Sequence, residues 1–115
     1  MTKEKPTFEN KETAGQQLVR LLRENGVENL EVKNLLDIWT REQEKLVEQS
    51  SNYQDEQIRL NLRRARLYSE AGYLGEAFEN FESARRQAWN KHRDELYQEI
   101  MKEMDGLEDS MEMEK

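Results

Sequence analysis

Apolar residues recur along this chain at steps of three and four, and no segment shows the alternation of period two that marks a strand. Leu18, Val19, Leu21 and Leu22 form the first cluster. Thr13 stands where an N-cap belongs and Gly26 where a left-handed C-cap residue would sit, which predicts a helix from about Thr13 to Asn25. Asn29 caps a second predicted helix, with Val32, Leu35, Leu36, Trp39, Leu46 and Val47 along one face. The stretch "SSNYQ" at 50–54 interrupts the pattern. Ser51 or Asn52 can cap the next helix, whose first turn holds Asp55 and Glu56, favourable partners for the helix dipole. A third helix is predicted from about Tyr53 to Ala71, with Ile58, Leu62, Ala65 and Tyr68 inward and Leu60 and Leu67 on a flank. A long fourth helix starts near Leu74 or Gly75. Ala77, Phe78, Phe81, Ala84, Ala88, Trp89, His92, Leu96, Ile100 and Met104 keep helical spacing through it without a visible break. The expected fold is all-α: four helices in an antiparallel array with short turns and an extended last helix.

Composition sharpens the ends of this picture. Hydrophobic residues make up 35% of the 115 and charged residues 37%, so a single small domain with polar ends fits better than full disorder. Among the aromatic residues only Phe8 lies near an end. Residues 1–10, with the one proline, Pro6, are expected to form a flexible arm, 11–105 a single helical domain, and 106–115 a disordered acidic tail. The net charge of −7 opposes general binding to nucleic acid. The absence of cysteine removes disulfides, thiolate metal sites and cysteine nucleophiles, and fits a reducing compartment. The start, "MTKEKPTFENKE", has no apolar core of a signal peptide, and no apolar run reaches the roughly 18 to 20 residues of a membrane span. A cytoplasmic location is the expectation.

The stretch "LYSEAGYLGEAF", 67–78, carries the most information. Gly72 can take a positive φ at the end of the third helix without a steric penalty, and Gly75 then falls in the first turn of the next helix, where a missing side chain would ease close packing. Ala65, Ala77 and Ala84 offer small residues where two antiparallel helices cross, and Tyr68, Phe78 and Phe81 fill the space between. These positions make residues 58–89 resemble a tetratricopeptide repeat, the 34-residue helix–turn–helix unit. Ala65 matches the small residue of its first helix, Tyr68 the aromatic one turn later, and Gly72 the glycine that ends it. Tyr73 sits close to the tyrosine that commonly follows. Ala77, Phe81 and Ala84 match the alanine–aromatic–alanine series of the second helix. The departures are Asn61 where the family usually has Trp, Arg64 where it has Leu, and Trp89 in place of the helix-ending proline, so the helix is expected to continue. Helices one and two lack the pattern and are the available neighbours for a unit that cannot bury its faces alone.

Arg59, Arg63 and Arg66 recur at i, i+4 and i+7 and so share one face of the third helix, with Arg64 beside them. The resemblance implies that Arg59, Arg63, Arg66, Ser69 and Glu70 lie on or near a concave, ligand-facing side. Arginine forks suit carboxylates and phosphates, so the implied partner is a protein or peptide, with an acidic segment or a C-terminal carboxylate as the favoured ligand. The bland alternative is a solvated helix face whose arginines pair with nearby Glu and Asp. The acidic tail from Glu103 to Glu114 could itself fold back on this face. Trp89, Leu96, Ile100 and Met104, with His92 among them, form a stripe that either packs back on helix one or two or serves as an oligomer surface in a homodimer. Nucleic-acid binding by the arginine helix is a third reading. No catalytic constellation stands out. His92 is the single histidine, Asp94, Glu95 and Glu99 near it are spaced as an ordinary helix surface, and "AGYLG" lacks the Lys-Ser/Thr of a phosphate-binding loop. The expectation is therefore a non-catalytic interaction domain without cofactor or metal.

Overall fold

A computed structural model describes residues 12–113, and the arm expected over 1–10 lies outside the described residues. Within them the chain forms five helices and no strand: α1 (Ala14–Asn25), α2 (Leu30–Gln49), α3 (Tyr53–Glu70), α4 (Leu74–Asn90) and α5 (Asp94–Met113). The fold is all-α, but with five helices where the spacing predicts four.

Local chemistry explains most of the boundaries. Thr13 and Gln16 form a reciprocal capping box: the Gln16 amide donates to Thr13 Oγ1 at 3.1 Å and the Thr13 amide to Gln16 Oε1 at 2.9 Å. Gly26 ends α1 at φ 93°, ψ 160°, a region essentially closed to residues with a Cβ. The Val32 amide donates to Asn29 Oδ1 at 3.0 Å and starts α2. Asn52 occupies the N-cap of α3 without a side-chain bond to that helix. The reversal after α3 satisfies its last carbonyls with two bonds, Gly72 N–H to Ser69 O at 3.0 Å and Tyr73 N–H to Tyr68 O at 2.9 Å, with Gly72 at φ 90°. This is the paired-bond helix stop known as the Schellman motif.

The same turn is built a second time, and this divides the predicted fourth helix. His92 N–H donates to Trp89 O at 3.2 Å and Arg93 N–H to Ala88 O at 2.9 Å, with His92 at φ 58°. Histidine is among the residues that tolerate this left-handed conformation better than most, at a cost glycine would not incur. The helix that begins at Asp94 then runs through Gly106 and on to Met113, where the sequence places a disordered tail from 106. Leu107 explains the extension: it continues the series Leu96, Ile100, Met104 and is buried with them.

α3 packs on α4 across Ala65, Ala77, Ala84 and Ala88, all without exposed surface, with Phe81 buried beside them. Leu60 and Leu67, expected on a flank, are buried as well, because α2 and α1 pack on that side of α3. Gly75 lies exposed with nothing near where a Cβ would stand, so close packing is not its role. Leu46, expected on the buried face of α2, is 60% exposed, and Trp89 63%.

The contacts also set the direction of each helix. Arg93, just before α5, pairs with Asp55 in the first turn of α3, and Arg66 near the end of α3 pairs with Glu103 further along α5. α3 and α5 therefore run side by side in the same sense, with α4 antiparallel between them in sequence. α1 runs in that sense too: Arg23 near its end donates through Nε to the Glu70 carbonyl at 3.0 Å, and Tyr73 Oη donates to the Leu22 carbonyl at 3.2 Å. The radius of gyration, 16.1 Å, exceeds the about 13 Å expected for a globule of this length. The result is a flat array, 28 Å in its thinnest dimension, with α1, α3 and α5 along one face.

The two reversal turns make opposite predictions at their left-handed residues. His92→Gly should raise stability by about 0.5–1 kcal/mol, because the backbone strain is relieved, whereas Gly72→Ala should lower it by about 1–2 kcal/mol. Urea denaturation of the two variants measures both. Destabilisation by His92→Gly would mean that α4 and α5 are one continuous helix.

Candidate functional site

α3 presents its arginines along the face shared with α1 and α5. Three shallow clefts follow one another there. The first, about 310 Å³, is lined by residues that include Asp55, Arg59, His92, Arg93, Glu95 and Glu99. The second, about 280 Å³, lies between Arg66, Ser69 and Glu70 of α3 and Glu103, Gly106 and Ser110 of α5, over Phe81 and Leu107. The third, about 230 Å³, opens toward Gln16, Val19 and Trp39 and takes in Arg63, Arg66 and Glu70. All five expected binding residues, Arg59, Arg63, Arg66, Ser69 and Glu70, thus line this run of clefts. Arg64, next to them in sequence, lines none of the three.

The arginines are not equivalent. Arg66 donates from Nε to Glu103 Oε1 at 2.9 Å and from a terminal nitrogen to Glu99 Oε2 at 3.2 Å. The Glu103 hydrogen bond, reinforced by the charges of Glu103 and Glu99 against the cost of partial burial, raises the Arg66 pKa above its ordinary range. That guanidinium is committed to holding α5 against α3. Arg63 donates from Nε to the neutral Gln43 Oε1 of α2 at 2.8 Å, which orients the side chain but leaves its charge uncompensated. Arg59 is exposed and has neither ion pair nor hydrogen bond among the described residues. Ser69 is half-buried beside Arg66. Glu70 exposes its side chain while its carbonyl receives Arg23.

Sequence reasoning did not find the groups that shape this face. Gln43 is one polar residue in a polar helix. Glu99 and Glu103 stand one helical turn apart, the only signal available, and their meeting with Arg66 depends on the break at His92. Arg93 sits within that break, where it binds Asp55 and donates to Gln54 Oε1 at 3.1 Å.

The stripe that offered either core packing or an oligomer surface is divided between the interior and the exterior. Leu96, Ile100 and Met104 are buried in the core of the monomer, packed through α5 against α4 and not against α1 or α2. Trp89 is exposed, its ring 5.3 Å from that of Tyr97 and tilted by 52°. His92 is exposed in the turn, and among the described residues no three His, Asp or Glu side chains gather as metal ligands would. No helix among the described residues is long and apolar enough to cross a membrane.

Comparison of the chain with protein-family models, curated proteins and solved structures returns no match.

If Arg66 is a structural clamp, its coupling to Glu103 is measurable. Both side chains keep substantial solvent contact, so a double-mutant cycle of Arg66→Ala and Glu103→Ala in urea should return about 0.5–1 kcal/mol. A coupling indistinguishable from zero would show the pair to be incidental.

Proposed function

We propose that this chain is a non-catalytic protein-interaction domain, similar in design to a tetratricopeptide repeat array, that receives an acidic peptide segment on the arginine face of α3. The observation that carries the reading is the contrast among the three arginines. Arg59 and Arg63, one helical turn apart, line the clefts with no carboxylate partner among the described residues, while Arg66 is occupied by α5. Two guanidinium groups at that spacing can hold a carboxylate, or two on successive residues of an extended segment, through charge-assisted hydrogen bonds.

The helix directions support the repeat-like design. α1, α3 and α5 run in one sense along the cleft-bearing face, and α1 with α2 forms a degenerate first unit beside the α3–α4 hairpin. The neighbours give each hairpin the burial it cannot supply alone. We assign the domain to the cytoplasm, in keeping with its lack of cysteine. A dimer through Leu96, Ile100 and Met104 is not part of this proposal, since those side chains are consumed inside the monomer. Nucleic acid is a poorer fit, because Asp55, Glu70, Asp94, Glu95, Glu99 and Glu103 surround the arginines and would repel a phosphate backbone.

The test is affinity capture with quantitative mass spectrometry, comparing the native chain with Arg59→Glu plus Arg63→Glu, after circular dichroism shows equal helicity. The double variant should lose the specific partner by tenfold or more, in line with about 1.4 kcal/mol or more for the lost charge-assisted bonds. Equal capture by both chains would remove this face from consideration.

A further inference from the structure

α2 buries one face and leaves apolar side chains on another. Val32 and Val47 are buried on the side that meets the rest of the array. Ile38 and Leu46 stand 52% and 60% exposed on the outer side. They are not isolated there. Leu35 and Trp39 lie beside them, half-buried, and a mostly apolar groove of about 200 Å³ runs between Leu35, Ile38 and Trp39 of α2 and Ala14 and Leu18 of α1. An apolar patch that continues into a groove marks an interaction surface, whereas a single exposed leucine does not.

The charges around this patch say what covers it. Glu31, Ile38 and Lys45 fall at i, i+7 and i+14, so they share one line along the outer face of α2. Glu31 and Lys45 are exposed and lie about 10 Å to either side of Ile38 along the helix axis. Glu31 has no ion pair among the described residues, and Lys45 has a loose one, to Glu42 at 3.8 Å. Now lay a second α2 antiparallel on the first, with the twofold axis at Ile38. Glu31 of each copy then stands opposite Lys45 of the other, and Glu42 opposite the neutral Asn34. The two Ile38 side chains meet at the axis. The same axis keeps Leu35 and Leu46 of both copies on one flank of the seam, beside the α1 groove. A parallel pairing would set Glu31 on Glu31, Glu42 on Glu42 and Lys45 on Lys45, and like charges would oppose it.

We infer that the outer face of α2 is a self-association surface, on which two copies of the chain meet as an antiparallel twofold pair centred on Ile38. The pattern of the face is self-complementary: apolar at the axis, acidic on one side of it and basic on the other. Each copy contributes one helix of 20 residues to the seam. Such a contact falls below the about 800 Å² per partner of a standard interface, so the dimer forms in the micromolar range. The surface is distinct from the stripe on α5, whose leucine, isoleucine and methionine are consumed in the core, and from the arginine face of α3. The inference therefore stands independently of the function proposed above.

The experiment is sedimentation equilibrium of the full chain from about 1 μM to about 1 mM, which should show a monomer–dimer equilibrium. Ile38→Asp should keep the chain monomeric throughout with an unchanged circular dichroism spectrum, since that side chain is half exposed in the monomer. Lys45→Glu should raise the dissociation constant about fivefold or more, and adding Glu31→Lys to it should restore the native value. A monomer at every concentration would overturn the inference and leave the groove to a partner of another sequence. A dimer that survives Ile38→Asp would overturn it by placing the contact elsewhere. A charge exchange that fails to restore the dimer would overturn the antiparallel pairing.

Discussion

The α3–α4 crossing is the contact on which the rest of the structure depends. Ala65 on one helix and Ala77, Ala84 and Ala88 on the other have no exposed surface, so the two backbones approach as closely as methyl groups allow. Large residues at these positions would hold the helices apart and leave Phe81 and Tyr68 without a fitted floor. Close approach makes the contact area large for two short helices, and buried apolar area is the main favourable term for a chain this polar. The neighbours then have a rigid slab to pack on: α2 and α1 cover Leu60 and Leu67 on one side of α3, and α5 covers α4 with Leu96, Ile100, Met104 and Leu107.

Two turns of identical hydrogen bonding convert this pair into an array. Each stops a helix with a left-handed residue and starts the next two residues later, so the chain reverses twice and α5 returns beside α3 in the same direction. Charged side chains then fix the register between these two parallel helices. Arg93 with Asp55 ties their beginnings, and Arg66 with Glu99 and Glu103 ties them further along. Such partly exposed pairs add little net stability. Their geometric effect is larger, since a slide of one turn between α3 and α5 would break both ties together.

The parts of the fold legible in the sequence are those signalled by residues with few conformational alternatives. The Thr13 cap, Asn29, Gly26 and Gly72 each satisfy backbone groups in a way few other residues can, and the alanines and Phe81 leave a size pattern that only a tight crossing requires. The break at His92 was hidden for a physical reason. Ala88, His92, Leu96 and Ile100 are spaced by four, so apolar periodicity passes straight through the turn, and histidine in a left-handed conformation leaves no compositional mark. The end of α5 was missed because Gly106 resembles a stop, while the single buried Leu107 that sustains the helix is inconspicuous in an acidic stretch. On the candidate face, the alignment of Arg59, Arg63 and Arg66 followed from helical spacing alone. Their unequal commitments did not, because Gln43, Glu99 and Glu103 arrive from elements whose directions are set by the turns.

The division among the arginines also limits what kind of recognition this face can perform. The chain carries a net charge of −7, and carboxylates line the clefts alongside the arginines, so the field at a distance does not attract an acidic ligand. At physiological ionic strength that field is screened beyond about 8 Å. Attraction to Arg59 and Arg63 therefore acts at contact range, where hydrogen-bond geometry decides the outcome more than total charge. A ligand must place its carboxylate within reach of the Arg59 and Arg63 guanidinium groups while keeping clear of Glu95 and Glu99 on α5. Surrounding acids thus work against indiscriminate binding of polyanions, and the same arrangement that weakens long-range capture favours selection among acidic segments by shape.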